Sequence, residues 1–571
     1  MPGIFGLVSL TEKPPSTSVV SGMQNYLHHR NTFLTDTFYQ DEKICAGRCH
    51  TGIVNTEQQP AHKDDIFAWL DGEFYNHDDF PITAPSENGD AFLLLQNYAA
   101  DRSLKFLRSI DGVYSAVIYD RLRKKAFLIT DRYGLQHLYW VKTKDHFAWA
   151  TEYKAFLALP DFKPSVDING LNGFLQYGYF IEDRTWFESV SLIPPATILT
   201  VDLNNSKTST TKYWSWADIK KLQGPIDEKE IEKEWGRLFT VAVERRCSPI
   251  KKTGITLSGG LDSRAILAAM PSRGQKINAI TFGNKGCDDI RIAGRAAKVK
   301  GAIHSIYELD YSGWLNANLS AVWCTDGEMC FLDTNGNEFL NRFLEKMSIC
   351  LNGIAGDAIH GGSYLSMTGQ HFPDIQDPYG HRGRRYIRPG FRLDESFVHV
   401  RMPFYDNALI ELSMSLPDSL RAKSYIYKKI LLYNYPEFFR GIPWQKSGVP
   451  ISYPYYAQKF ISWGKRGSSR MLRKVKRWGL PFQDRRNFTS QREKTIKEPG
   501  RSFFFKLFTN KNAYYPSYLD REKVLKTWDH HVGGNDEIDM INRYATIEIW
   551  LQQVFTNSFR PQQDGFPIVK I

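Results

Sequence analysis

The sequence predicts two domains of different class: an antiparallel β domain with helices over roughly the first two hundred residues, and a doubly wound parallel-sheet α/β domain behind it. Three observations carry this. The 571 residues exceed what one ordinary core accommodates. Short runs of aromatic and β-branched residues crowd the first part of the chain. From about residue 230 strand-like runs alternate with helical periodicity. With 42% apolar and 14% aromatic residues, both domains have material for a packed core.

In the first part, "DIFAWLDGEFYN", "GVYSAVIYD", "AFLITDRYG" and "HFAWATEY" read as strands. The polar "DRLRKK" joins the second to the third as a hairpin turn does. The stretch "SLIPPATILTVDLNNSKTSTTKYWSW" shifts to Pro, Asn, Ser and Thr and marks a boundary. We divide the chain into domains 1–205 and 206–571. In the second, "TGITLSGG", "KINAITFG", "AIHSIYEL" and "SICLNGIAGD" are short apolar strands. Between them "SRAILAAM", "DIRIAGRAAKVKG" and "EFLNRFLEKM" carry helical periodicity. Such alternation builds a parallel sheet covered on both faces, whose ligands bind beyond the carboxyl ends of the strands.

Composition excludes several classes. No run of about 18 apolar residues is present, and "MPGIFGLVSLTEKPP" lacks the pattern of a secretion signal, so a soluble, cytoplasmic protein without a membrane span is expected. The seven cysteines are scattered, without the paired spacings of a zinc site, and are expected to be reduced structural thiols. The net charge of +11 is local: residues 465–497 hold twelve Lys/Arg against two Asp/Glu. A basic insertion of this kind is a solvated face or a docking site for an acidic substrate, and nucleic acid is not an expected partner.

The chemistry concentrates at "GITLSGGLDSRAILAAM", a strand, a glycine turn and a helix start in succession. Gly259 and Gly260 let backbone approach an anion, Ser258 and Ser263 offer hydroxyls, and the helix beginning near Asp262 presents free N–H groups. Neither the P-loop pattern nor the dinucleotide fingerprint is present, which disfavours transfer of the γ-phosphate. Asp262 repels a phosphate unless a cation lies between them. A second acid, Asp357 in "LNGIAGDAIHGGSY", follows another strand, and the two make an expected Mg²⁺ clamp on a nucleotide's phosphates.

"SGGLDSR" followed about ninety residues later by Gly-x-x-x-Asp resembles the pyrophosphate loop of the asparagine synthetase family. "RMPFYD" (401–406) is similar to its Arg-x-Pro-Phe-Leu-Asp, and "YKKIL" (427–431) to its Lys-x-Ile-Leu. "DGEFYN", "DGVYSAVIYDRLRKKAFLITDRYGLQHLYW" and "ATEYKAFLALP" are similar to the family's glutamine amidotransferase half. The resemblance spans almost the whole chain. It implies an N-terminal Ntn-type β sandwich before an ATP-pyrophosphatase-type synthetase domain, with ATP and Mg²⁺ as cofactors. It further implies that Leu257, Ser258, Gly259, Gly260, Asp262 and Ser263 bind ATP, that Phe282 and Gly353 flank adenine and ribose, and that Asp262 and Asp357 hold Mg²⁺. Lys428 is the expected catalytic cation and Lys429 its competitor.

The sequence also departs from the family. Its glutaminase nucleophile is a cysteine at position 2, where this chain has Pro2, so thiolate attack on glutamine is not available there. Glu73 and Asp90 look like remnants of the glutamine pocket, retained for packing. Gly-Glu-Gly-x-Asp-Glu becomes Gly353-Ile354-Ala355-Gly356-Asp357-Ala358, which makes aspartate a doubtful substrate. The Glu ahead of Arg-x-Pro-Phe is His399, a base on the attacking amine or a structural histidine. The polar segment 368–394 reads as a lid or acceptor site, or as a surface loop.

Branches of the family without the cysteine, the β-lactam synthetases and lasso-peptide cyclases, close an amide with an amine of the substrate itself. The leading expectation is such an ATP-dependent, AMP-forming ligase, acting on a peptide or small carboxylate, with a precursor-binding or processing protein as partner. An ammonia-fed or partner-fed amidotransferase, or a non-catalytic binding relative, are the alternatives.

Overall fold

A computed structural model describes residues 2–80, 89–272, 276–309, 313–366, 381–454, 456, 458 and 489–561. The expectations for 368–380 and for most of the basic segment, 465–488, lie outside them.

The front domain is built from two antiparallel sheets. The first contains β1 (Gly3–Ser9), β2 (Leu34–Thr35), β3 (Tyr39–Gln40), β4 (Ile44–His50), β9 (Tyr139–Lys142), β10 (His146–Ala150) and β11 (Val190–Leu192). The second runs β13 (Lys207–Lys212), β12 (Thr197–Asp202), β8 (Lys125–Thr130), β7 (Gly112–Asp120), β6 (Ile66–Phe74), β5 (Ala61–Lys63). Alternation along the strands sends Ile4, Val8, Ile44 and Ala46 of one sheet against Trp69, Val117, Leu128 and Leu199 of the other, which forms the sandwich core. The helix Asp90–Ala100 covers the second sheet's outer face with Leu94, Leu95 and Tyr98. The four runs read as strands contain β6, β7, β8 and β10, and β7 and β8 form the expected hairpin. The boundary at 205/206 falls inside the β12–β13 hairpin, so the sheet continues to Lys212.

The second domain holds a five-stranded parallel sheet in the order β16 (Ile303–Glu308), β15 (Asn278–Gly283), β14 (Thr253–Thr256), β17 (Ile349–Leu351), β18 (His399–Arg401). The chain leaves β14 toward β15 and β16, then returns to place β17 on the other side of β14. The order reverses there, and a crevice opens beyond the carboxyl ends of β14 and β17. β18 was not anticipated as a strand, because three residues inside "HVRMPF" carry no periodicity. The helix Glu228–Arg245 is N-capped by Asp227, which accepts from Lys229 and Glu230 N–H groups, and it buries Trp235 and Phe239 in the sheet's core.

The domains share hydrophobic packing. Trp528 and Trp550 of the last two helices, Arg521–Val532 and Ile538–Phe555, join Phe5, Tyr139 and Phe156 of the front domain in one cluster. Residues 381–394 correct the expectation of a lid: they form two consecutive helical segments whose Arg384, Arg385, Arg388 and Arg392 are at most 4% exposed. Arg384 donates to Gly134 O at 3.0 Å, Arg385 to Arg184 O at 2.6 Å and Arg388 to Leu135 O at 2.8 Å. They fasten the domains together. All seven cysteines are buried with no disulfide between them, and no helix among the described residues is long and apolar enough to cross a membrane.

Candidate active site

Residues 257–261 link β14 to the helix Asp262–Ala269 over the crevice. Leu257 anchors the loop: its N–H donates to Ile280 O at 2.8 Å and its carbonyl accepts from Thr281 Oγ1 at 2.7 Å. Ser263 Oγ accepts the Ser258 N–H and lies 3.0 Å from Ser258 Oγ. From below, Arg264 Nε donates to Gly260 O at 2.7 Å. The loop is held from outside while its inner surface stays open.

That surface borders a cavity of about 480 Å³, within the usual size of a small-molecule site. Leu257, Ser258, Gly260, Asp262, Ser263, Phe282 and Gly353, all expected at the nucleotide, line it. Gly259 does not: its N–H donates to Asp289 Oδ1 at 2.8 Å, and a Cβ there would lie 2.9 Å from Gln445 Cβ. Asp289, Thr281, Asn352, Thr256, Ile280 and Gln445, none of them expected, complete the wall together with Ile354, already noted as replacing a family glutamate. The first five sit on the sheet's strands, just past one of them or in the first turn of the helix after β15, a signal that the strand order supplies. Gln445 comes from a distant loop and leaves no sequence signal.

The two acids meet. Asp262 Oδ2 accepts the Asp357 N–H at 2.9 Å and Asp262 Oδ1 accepts Tyr427 OH at 2.8 Å, while Ser424 Oγ donates to Asp357 Oδ1 at 2.8 Å. Glycine makes this approach possible, since a Cβ on Gly356 would lie 2.3 Å from Asp262 Cγ. Burial, and then the Asp357 charge, push the Asp262 carboxyl up to about 7 against those hydrogen bonds. A half-buried carboxylate beside another, under a phosphate-sized loop, is a site that a cation relieves. Two carboxylates are also the number Mg²⁺ takes when phosphate oxygens and water supply its other ligands. Among the described residues no group of three or more His, Cys, Asp or Glu gathers as a metal site. The donor set therefore fits a cation shared with a nucleotide.

The two lysines differ in place. Lys429 Nζ lies 2.6 Å from Glu228 on an exposed face. Lys428 is half-buried, 5.2 Å above the Trp444 ring, and donates to Lys423 O at 3.2 Å. Burial lowers its pKa while Asp357 acts in the opposite direction.

At its border with the second domain the front domain has a cavity of about 40 Å³, bordered by Pro2, Arg48, Asp71 and Gly72 from one side and Glu395 and His399 from the other, with no cysteine in its wall. Cys49 lies between Arg48 and His50 on β4 and so faces the opposite side, where burial pushes its thiol up to about 12. Glu73 is held by Arg401 and His399, and Asp90 by Asn55, the Phe74 N–H and His77. His399 belongs to this cavity rather than to the nucleotide crevice.

Residues 1–214 match the family model for a glutamine amidotransferase domain and residues 234–387 that for asparagine synthase, together well over half of the chain. The chain belongs to the asparagine synthetase family. It is 23% identical over 281 residues to asparagine synthetase [glutamine-hydrolyzing] 2 of Bacillus subtilis, a match covering 46% of this chain and 37% of that protein. Amidase chyE of Penicillium rubens is 26% identical over 306 residues, 49% of this chain and 44% of its own length. The mouse asparagine synthetase is 22% identical over 398 residues, 64% and 68% of the two chains. The match spans about two fifths of the length of the first two relatives.

Proposed function

We propose that this protein is an ATP-dependent, AMP-forming carbon–nitrogen ligase without glutaminase activity of its own, joining a carboxylate to an amine of the same peptide or amino-acid-derived substrate. The observation that carries the reading is the Asp262–Asp357 pair under the Ser-Gly-Gly-x-Asp-Ser loop, with Asp262 on the wall of a nucleotide-sized crevice and Asp357 hydrogen-bonded behind it. In the reaction, a carboxylate oxygen attacks the α-phosphorus of ATP and the α–β phosphoanhydride breaks, releasing pyrophosphate. The amine then attacks the acyl carbon, AMP leaves and the nitrogen loses a proton.

Ser258, Gly260 and Ser263 line the crevice where the β,γ-phosphates would lie, with the helix N-terminus behind them. Asp262 and Asp357 would hold Mg²⁺, which when bound neutralises charge between them and the phosphates. Lys428 is assigned the charge that develops on phosphate and acyl oxygen. Ile354, apolar on the cavity wall, does no acid–base work and argues against aspartate as acceptor. Pro2 beside the small front cavity supports a nitrogen not drawn from glutamine. Relatives named amidase are in keeping with a product other than asparagine.

ATP/pyrophosphate exchange with Mg²⁺ and a panel of candidate carboxylates tests the reading. Exchange without glutamine, and a cyclised product from one of them, is expected. Glutamine-dependent amide formation, or no binding of ATP–Mg²⁺, overturns it. A product that requires added ammonium overturns the cyclase part alone.

A further inference from the structure

We infer that Glu73 and Arg401 form a strut through which the front domain positions the wall of the nucleotide crevice, so that Glu73 is a positioning residue for the synthetase chemistry; this rests on the function proposed above. Glu73 lies on β6 and Arg401 on β18, at opposite sides of the domain interface, 5% and 6% exposed. A carboxylate and a guanidinium buried this far are tolerable only together. Arg401 meets the carboxylate with both faces of its fork: Nε donates to Oε2 at 2.8 Å and Nη2 to Oε1. Such a bidentate pair fixes the guanidinium plane as well as its position. His399, two residues earlier on the same strand, adds a contact to Oε2 at 3.1 Å. Burial by itself would raise the carboxyl's pKa, yet Arg401 and His399 hold it down to about 2.

The backbone of Arg401 carries this constraint onward. Its carbonyl accepts the Asn352 N–H at 3.0 Å, one residue past the register pair Leu351–Arg401 of β17 and β18. Asn352 then spreads its amide across the crevice wall: Nδ2 donates to Thr256 Oγ1 at 3.2 Å, and Oδ1 accepts the Ile354 N–H at 3.0 Å. Thr256, Asn352 and Ile354 all line the crevice. One acid of the front domain thus reaches the wall through one side chain and one peptide. The need for it is local, because β18 is a three-residue edge strand paired on one side only. A strand of that length has little hold of its own.

The test compares the full chain with Glu73→Gln, which keeps shape and removes charge, and Glu73→Asp, which keeps charge and shortens the arm. Hydrogen exchange is read at amides 349–354 with 278–283 as internal control, alongside calorimetric affinity for ATP–Mg²⁺. In the Gln variant, exchange at 349–354 should quicken roughly tenfold with the control unchanged, and nucleotide affinity should fall by a similar factor; the Asp variant should recover part of both. Uniform quickening in both segments, no quickening, or unchanged affinity overturns the strut. Should the Gln variant not fold, His399→Gln removes only the outer contact and makes the same comparison at smaller amplitude. A wild-type chain that binds no ATP–Mg²⁺ overturns the proposed function instead, and exchange still decides the strut.

Discussion

The two cavities differ in how their acids are satisfied. Beside the front cavity, of about 40 Å³, Glu73 and Asp90 are each spent on protein partners, with Glu73 held down to about 2, while Asp71 on its wall is pushed up by burial to about 6 and accepts from Gln136. In the crevice, of about 480 Å³, Asp262 is pushed up to about 7 beside Asp357, with hydrogen bonds but no ion-pair partner among the described residues. Internal neutralisation removes the demand for a ligand, and uncompensated burial creates one. The contrast says where chemistry persists and where the fold keeps only its scaffold.

The largest expected effect follows from removing the uncompensated acid. Asp262→Ala should lower pyrophosphate exchange by about a thousandfold or more, since it takes away a metal carboxylate and with it the phosphate grip. The ligand-free melting temperature should hold or rise above pH 7, because a half-buried charge without an ion-pair partner among the described residues has gone. Retained turnover would mean that the cation is held elsewhere. Lys428→Ala should cost on the order of a hundredfold in turnover, whereas Lys429→Ala, which loses only an exposed contact with Glu228, should stay within about twofold. Steady-state rates of the two variants side by side check the assignment.

How far this contrast was legible beforehand depends on the distance over which each feature is encoded. The loop 257–263 and the acid of "LNGIAGD" are local patterns of strand, glycine and acid, and the structure brings both to the reversal point of the sheet. Asn352 follows the end of β17 and Asp289 lies in the first turn of the helix after β15, both next to strands that were identified, so the topology needed only one more step. Gln445 and Tyr427 reach the site from elements whose sequence does not announce a direction. The arginines of 381–394 misled: in sequence they read as a polar surface segment, and only the carbonyls of Gly134, Arg184 and Leu135 in the other domain explain their burial. His399 likewise took its meaning from Glu73, more than three hundred residues away.

A smaller effect, graded with pH, sharpens the comparison. The cation requires ionised Asp262, so affinity for ATP–Mg²⁺ should fall as pH drops below about 7, approaching about tenfold per unit. The ligand-free protein should behave oppositely. A carboxyl raised from 3.8 to about 7 contributes stability that is present below the ordinary range and lost as pH rises through about 7. The melting-temperature gain given by ATP–Mg²⁺ should therefore grow from pH 6 to pH 8. A gain that stays constant across this range would show that Asp262 does not titrate against the cation.

The smallest expected effect belongs to the front cavity. Pro2→Cys places a thiol beside Arg48, Asp71 and His399, and ammonia release from glutamine should nevertheless remain at background. Two physical reasons converge. A space of about 40 Å³ holds only a few waters, at about 10–15 Å³ of such space for each, and glutamine has ten heavy atoms to place. Glu73 beside it is also unavailable, since drawing it to a ligand leaves the buried Arg401 guanidinium without its carboxylate, a loss the new contact would have to exceed. Measured glutaminase activity in the single variant would show that the cavity opens and that Arg401 can release Glu73. Turnover appearing only when Pro2→Cys is combined with Arg401→Ala would locate the obstacle in the ion pair rather than in the missing thiol.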